Sequence, residues 1–237
     1  MKKFQKCNEL AWVFAMVLIS LAVCLTTKGG FGVSMIVAPS YTIHLALHHF
    51  LPWYSFGTSE YVLQGVLLAL MCLIIRKFNW RYLLSFLTAV IYGYMLDLWL
   101  LLFGGSEPFA TLPGRIASLA AGVVLCSLAV ALFFKTYLPL QVYELFVAQV
   151  AKKIDWKPEK FKYVYDFCSL AVAIALALLV SHRFEDVRFT DCIGIGTIAC
   201  TVFNAILISL FSKLLDKFFG FDAALPRLEN ALSSAER

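Results

Sequence analysis

Asp97 is the side chain in this sequence whose setting says most about chemistry, because it lies within a long apolar run with Tyr92, Tyr94 and Trp99 close by. A carboxylate surrounded by hydrocarbon is costly unless it is paired, protonated or facing water. Two readings follow: Asp97 holds a cation or proton in a transport cycle, or it ends near the outer headgroups and has no such task. Asp166 follows Lys162 by four residues, the spacing of a helical ion pair. Lys213 stands at the end of the last apolar run, where its ammonium snorkels to the interface at little cost. His44, His48 and His49 form the histidine cluster of the chain, and His44 and His48 at i,i+4 share one helical face as a pair of metal ligands would. A structural zinc site needs about four ligands, and only Glu60 stands near enough in sequence to add one. Interfacial histidines are therefore expected, and no metal is assigned.

Catalytic constellations are missing. There is no HExxH helix, no GxSxG elbow and no paired intramembrane Asp, so no catalytic residue, no cofactor and no enzyme activity is expected. Gly194-Ile195-Gly196 lacks both the strand of a dinucleotide fold and the Gly-Lys-Ser/Thr of a P-loop. The 7 cysteines form no CxxC or metal spacing. Cys24, Cys72, Cys126, Cys168 and Cys200 fall inside apolar runs as small packing residues, and Cys192, near the outer surface without an evident partner, reads as a free thiol.

The elements that must position these groups are membrane spans. Of the 237 residues 61% are apolar and 15% charged, against roughly 45–50% and about 25% in soluble domains. Apolar runs long enough to cross a bilayer occur near 9–27, 58–75, 82–103, 115–134, 163–181 and 193–212. Stretches such as Ala117 to Phe134 are apolar on every side, which excludes the alternation of a β-barrel. Lys2, Lys3 and Lys6 before the first run, with Leu21-Ala22-Val23-Cys24 further on, also suit a secretory signal. Val23 occupies the place of a small residue, and five spans follow, so an uncleaved first helix is preferred. With the N-terminus inside, only Lys28, Arg115, Arg183 and Arg188 of the 20 Lys and Arg fall outside, leaving sixteen within. This bias places both termini on the cytoplasmic side of an inner membrane. It also explains the net charge of +5 by orientation and contact with membrane lipid, so nucleic acid is not needed.

The chain divides into two similar halves, 1–107 and 108–220, and a cytoplasmic tail, 221–237, with Gly104 to Pro108 as the turn between the halves. Each half has a long span, a moderately apolar segment, then two further spans. Glu60-Tyr61-Val62 is echoed by Lys162-Tyr163-Val164, and Thr88-Ala89-Val90-Ile91 by Asn204-Ala205-Ile206-Leu207, a register that matches Gly93 to Ser209 and Asp97 to Lys213. Three spans per half force the second copy to enter from the opposite face, so the repeat is inverted, as in many secondary transporters. The middle segments, Gly29 to Ser55 and Lys135 to Lys160, suit short helices started by Pro39 and Pro139, either lying in the interface or re-entrant. The interfacial reading is preferred. Trp53, Trp80 and Trp156 stand by span ends as interfacial anchors.

At these residues the chain resembles the YczE/YitT group of bacterial integral membrane proteins. The likeness rests on Pro39 to His44 followed by Phe56-Gly57-Thr58, on Gly194-Ile195-Gly196-Thr197, and on Gly93-x-x-x-Asp97. It implies a multi-span protein with repeated halves and adds topology more than chemistry. The family's glycines before the second middle segment are replaced by Thr136-Tyr137-Leu138-Pro139.

The expectation is thus an all-α polytopic membrane protein of six spans in two inverted three-helix repeats, carrying a small molecule or ion. Asp97 is the expected coupling or substrate contact, with Tyr94, Thr88, Asn204 and His44 as polar lining. The alternative is a non-transporting scaffold, sensor or accessory subunit that docks a protein partner or a second copy of itself.

Overall fold

The computed structural model describes residues 4–80, 82–105, 109, 111–184, 187 and 189–222. The turn through Glu107 and Pro108, the tail from residue 223 on, and Lys2, Lys3, Arg81, Arg188, Arg227 and Arg237 of the charge count lie outside the described residues. Among the described residues the chain is helical, with α1 (Asn8–Gly29), α2 (Ala38–His48), α3 (Phe56–Ile75), α4 (Tyr82–Leu102), α5 (Leu112–Phe133), α6 (Val142–Lys153), α7 (Pro158–Arg183), α8 (Phe189–Cys192) and α9 (Ile195–Phe218). Six of these segments are long and apolar enough to cross a membrane, with mean hydropathy from 1.6 to 2.5. They carry α1, α3, α4, α5, α7 and α9, one for each expected span. Their outward faces are what a bilayer requires and water would not tolerate: Leu73, Leu101, Leu179 and Ile198 are each about two-thirds or more exposed. Trp53, Trp80 and Trp156 are exposed beside helix ends, as the anchor reading expects.

Local chemistry sets the helix limits. Ser55 and Thr111 accept backbone N–H bonds from Thr58 and Gly114 at the starts of α3 and α5, supplying partners for amides that would otherwise be unpaired. Proline stands in the first turn of α2, α5 and α7, where no amide donor is missed. Two short strands that the sequence did not announce, β1 (Phe4–Cys7) and β2 (Phe219–Asp222), pair in parallel from Phe4 against Phe219 to Cys7 against Asp222. This strap sets the start of α1 beside the end of α9, so the spans begin and end on one side of the bundle, here called the terminal side.

The centre of the bundle is the crossing of α1 and α5. Small residues bring the two backbones together, as membrane helices without a hydrophobic driving force require. A Cβ on Gly122 would lie 2.6 Å from Thr26 Cγ2 and 2.9 Å from the Ala22 carbonyl. Ser118 donates to the Leu25 carbonyl at 2.6 Å. Arg115, in the first turn of α5, closes the last turn of α1 by donating to the Gly29 and Gly30 carbonyls at 2.8 and 2.9 Å, a cation at the negative end of a helix. Around this pair, α4 packs on α1 and α3, while α9 packs on α5. The short helices cross between the halves: α2 packs on α3 and α7, and α6 does the same.

The preference for middle helices lying flat in the interface is corrected by where they begin. The Val142 amide at the start of α6 donates to Gln64 Oε1 at 3.1 Å, near the middle of the 20-residue α3. The preceding Pro139 carbonyl accepts from Trp12 Nε1 and Thr88 Oγ1 at 3.1 and 3.3 Å. α6 is therefore re-entrant, with its N-terminus held between spans and Lys152 and Lys153 exposed at its other end. α2 likewise starts among buried residues, Ala38 to Ser40, and ends at the rim in His48 and His49.

The α1 and α5 crossing gives a stability prediction. Gly122→Ala should lose on the order of 1–3 kcal/mol by overpacking against backbone, read as a lower melting temperature in detergent. Gly65→Ala, whose new methyl would meet only the ring edge of Phe86 at 3.2 Å, should cost less.

Candidate functional site

Glu60 occupies the point where three elements meet. It is the fifth residue of α3 and its side chain is fully buried. One carboxyl oxygen is hydrogen-bonded to the Ser40 hydroxyl of α2. The other accepts from Tyr143 Oη of α6 at 3.2 Å. The first turns of two short helices, one from each half, thus converge on a single acid, and the positive ends of their dipoles point at it. Ser59 Oγ donates to the Ser40 carbonyl at 2.5 Å and ties α2 to α3. Gln64, roughly one turn on, holds the start of α6 through Oε1, while its amide nitrogen faces the same carboxyl without completing a hydrogen bond. Tyr92 of α4 is buried close enough to feel the acid's charge.

Counting protons at this cluster is informative. Ser40 has one hydroxyl hydrogen and two acceptors in reach, Glu60 and the Val37 carbonyl at 2.7 Å. If Glu60 carries a proton it donates to Ser40, which in turn donates to Val37, and the Ser40 hydroxyl and both acceptors are satisfied. If Glu60 is ionised, Ser40 has to turn its hydrogen away from Val37. No ion pair to Glu60 occurs among the described residues. Burial without a cation disfavours the anion, whereas the donors and helix ends favour it, and water entering the site would change that balance at once.

Asp97 sits elsewhere. Its carboxylate accepts from the Gly57 amide at 2.8 Å and from Ser55 Oγ at 2.5 Å, and so caps the N-terminus of α3 from the last turns of α4. The clamp is possible because both partners are glycines at the contact: a Cβ on Gly57 would lie 2.0 Å from the Gly93 carbonyl and 2.6 Å from Asp97 Oδ2. His44 stands at the same end of the bundle, stacked on Phe56, with Nδ1 3.1 Å from the Tyr54 carbonyl. Burial lowers its pKa from the ordinary imidazole value, with His48 adding to the effect and the Tyr54 carbonyl and Asp97 opposing it.

The other expected residues are dispersed. Thr88 donates to the Leu84 carbonyl and, in α4, faces the chain just before α6. Asn204 in α9 accepts from Ser127 Oγ of α5 at 2.9 Å. Tyr94 is two-thirds exposed on the outer flank of α4 beside Tyr61. Only Asp97 and His44 come near each other. Lys162 and Asp166 form the expected ion pair at 3.8 Å, Lys213 is exposed, and Cys192 is fully buried rather than superficial.

Glu60 carries more of the arrangement than its place in the sequence reveals. It was visible as an acid following Phe56-Gly57-Thr58-Ser59 at the mouth of an apolar run, but its partners Ser40 and Tyr143 come from helices remote in sequence. The glycines of the Gly194-Ile195-Gly196-Thr197 motif serve backbone contact: Gly196 N donates to the Phe31 carbonyl at 2.7 Å, and Gly32, at φ +91°, would drive a Cβ to 2.5 Å from Gly194 N.

The model of the family of unknown function DUF6198 matches residues 7–213. The chain belongs to that family. No curated protein and no solved structure matches it. The match runs over five of the six long helices of this DUF6198 member and most of α9, together with Glu60, Asp97 and both short helices. Membership therefore concerns the whole arrangement and names no activity.

Two cavities bear on the chemistry. One, of about 10 Å³, lies between α1, α5 and α9 and is lined by Thr26, Ser34, Cys126, Cys200 and Asn204. It has room for about one water. The other is an open cleft of about 310 Å³ at the rim of α2, lined by Tyr41, His48, His49 and Asp191 among others.

The lowered pKa of His44 predicts a pH effect. The unfolded chain binds a proton at the ordinary value and the folded chain only below it, so in that window the unfolded state holds more protons and stability falls as pH drops. The chain should melt at lower temperature as pH falls from about 6.5, and His44→Asn should flatten that slope. An unchanged slope contradicts the burial of a neutral ring.

Proposed function

We propose that this protein carries a small molecule or ion across a bacterial inner membrane, with Glu60 as the group that takes up and releases a proton when the interior opens. The observation that carries the reading is the convergence of Ser40 and Tyr143, from two short helices in opposite halves, on one buried acid with no cationic partner among the described residues. An ionisable group inside a membrane bundle is costly and is kept where a pathway needs it.

Two inverted repeats, 1–107 and 108–220, are part of this proposal. They are supported by the packing: α1 faces α5, and each short helix reaches the middle span of the other half. They are supported also by paired details. Thr88 meets the segment before α6, and Asn204 shares a small cavity with Ser34 and Val37 before α2, the register the sequence echo gave. Thr88 and Asn204 are then equivalent polar positions beside the central pair, Asp97 and His44 belong to one mouth of the path, and Tyr94 stays outside it facing lipid. The positive-inside bias supports a cytoplasmic terminal side. The likeness to the YczE/YitT group agrees with this topology. Transport is preferred to catalysis because the hydroxyls paired with the acid, those of Ser40 and Tyr143, are themselves buried and not presented to a substrate.

A second reading, a non-transporting scaffold or accessory subunit, is favoured by one observation: the interior cavity at the central pair is only about 10 Å³. Reconstitution separates the two. Vesicles holding the purified protein, given an imposed pH gradient and a defined mixture of small metabolites and inorganic ions, should accumulate a solute that protein-free vesicles do not. Glu60→Gln should reduce that accumulation at least tenfold. Equal accumulation with Glu60→Gln removes the role given to Glu60, and no accumulation with the native chain favours the scaffold.

A further inference from the structure

The two halves are related in their contacts but differ in one respect. In the first half α4 packs along α3 and also touches α6. The corresponding helix of the second half, α9, lies along α5 and makes no comparable contact with α7 or α2. Burial tells the same story: 28% and 33% of the apolar windows of α3 and α4 are buried, against 17% and 18% for those of α7 and α9. One half is closed and its counterpart is parted.

Polar contacts at the helix ends match this difference. On the side away from the termini, Asp97 near the end of α4 holds the start of α3 through Ser55 and the Gly57 amide. On the terminal side, Asp216 near the end of α9 pairs with Lys135, just past α5, at 2.8 Å. The first bond holds the last helix of its half against the middle helix. The second holds the last helix of its half against the central pair, away from the middle helix. Meanwhile the start of α9 is tethered by Gly194 and Gly196 to the turn at Phe31 and Gly32, where backbones meet without side chains between them. A helix fixed at one end by glycine contacts and held aside at the other is placed to swing about the fixed end.

We propose that the structure is one of two exchanging states, closed on the far side by the Asp97 clamp and parted between α7 and α9 on the terminal side by the Lys135 and Asp216 pair. In the other state the first half takes the arrangement of the second and the second that of the first. α3 and α4 then separate at Gly57 and Gly93, and α9 closes on α7. The inference rests on the two-copy reading of the proposed function. It adds which side is open and which residues hold it so. The Lys135 and Asp216 pair is partly exposed, so it biases the equilibrium without fixing it.

Spin labels test this on the full chain in vesicles, with native cysteines replaced. One pair is placed at Val62 and Leu98 across α3 and α4, and one at Phe167 and Leu210 across α7 and α9. The native chain should give mainly a short distance for the first pair and a long one for the second. Asp97→Asn should lengthen the first and, in the same sample, add a short population to the second as α7 and α9 approach the 8–10 Å spacing of packed helices. Lys135→Gln, at a partly exposed position, should shift both pairs in the same directions. Hydrogen exchange on the native-cysteine protein should show α3 starts deprotected and α9 protected together in both variants. Lengthening of the first pair with no change in the second, in either variant, overturns the inference. The distances need no substrate: reciprocal shifts without solute accumulation leave the exchange standing and remove the carrier, and accumulation without reciprocal shifts does the reverse.

Discussion

A carboxyl group that cannot reach water has to find its partners within the protein, and at Glu60 this requirement organises much of the bundle. α3 brings the acid one turn into an apolar span. Two short helices must then enter the bundle far enough to present Ser40 and Tyr143. For them to enter, the chain before each must run among the spans, and its carbonyls must be met by side chains, as Trp12 and Thr88 meet Pro139. Irregular backbone is tolerated at membrane depth only where it is shielded from lipid, and here α1, α4, α5 and α9 supply the shield.

Glycine and serine perform a second task that follows from the first. Six spans have to close tightly round two inserted segments, so close approach is needed at several crossings: Gly122 against Thr26, Gly57 against Gly93, and Gly196 against Phe31. At two helix ends the approach is completed by a charge on the appropriate dipole, Arg115 at the end of α1 and Asp97 at the start of α3. These charges therefore bear on stability, and Asp97 clamps α4 to the start of α3.

The spans were legible in the sequence because lipid imposes one simple requirement, a run of apolar residues of sufficient length, and nothing else in the fold competes with it. The motif glycines were legible as places of contact, since their lack of a side chain matters wherever they fall. The depth of α2 and α6 was not legible. A short amphipathic helix has the same pattern whether its polar residues face headgroups or a buried acid, and only Gln64 and Glu60, distant in sequence, tell these apart. The strap of β1 and β2 was hidden for a similar reason, since four-residue strands at opposite ends of the chain carry no periodicity of their own. Asp97 drew attention as an acid within a span, but its partners Ser55 and Gly57 lie some 40 residues away, and capping in trans leaves no local signature.

The central claim is that the Glu60 carboxyl exchanges a proton within the folded bundle. Difference infrared spectroscopy on the reconstituted native chain and on Glu60→Gln, following the carbonyl stretch of protonated carboxyls as pH is stepped, observes that event directly. A band absent from Glu60→Gln should appear and disappear reversibly with pH while the protein stays folded. A Glu60 carboxyl that holds one protonation state across the whole range in which the bundle is folded would contradict the claim.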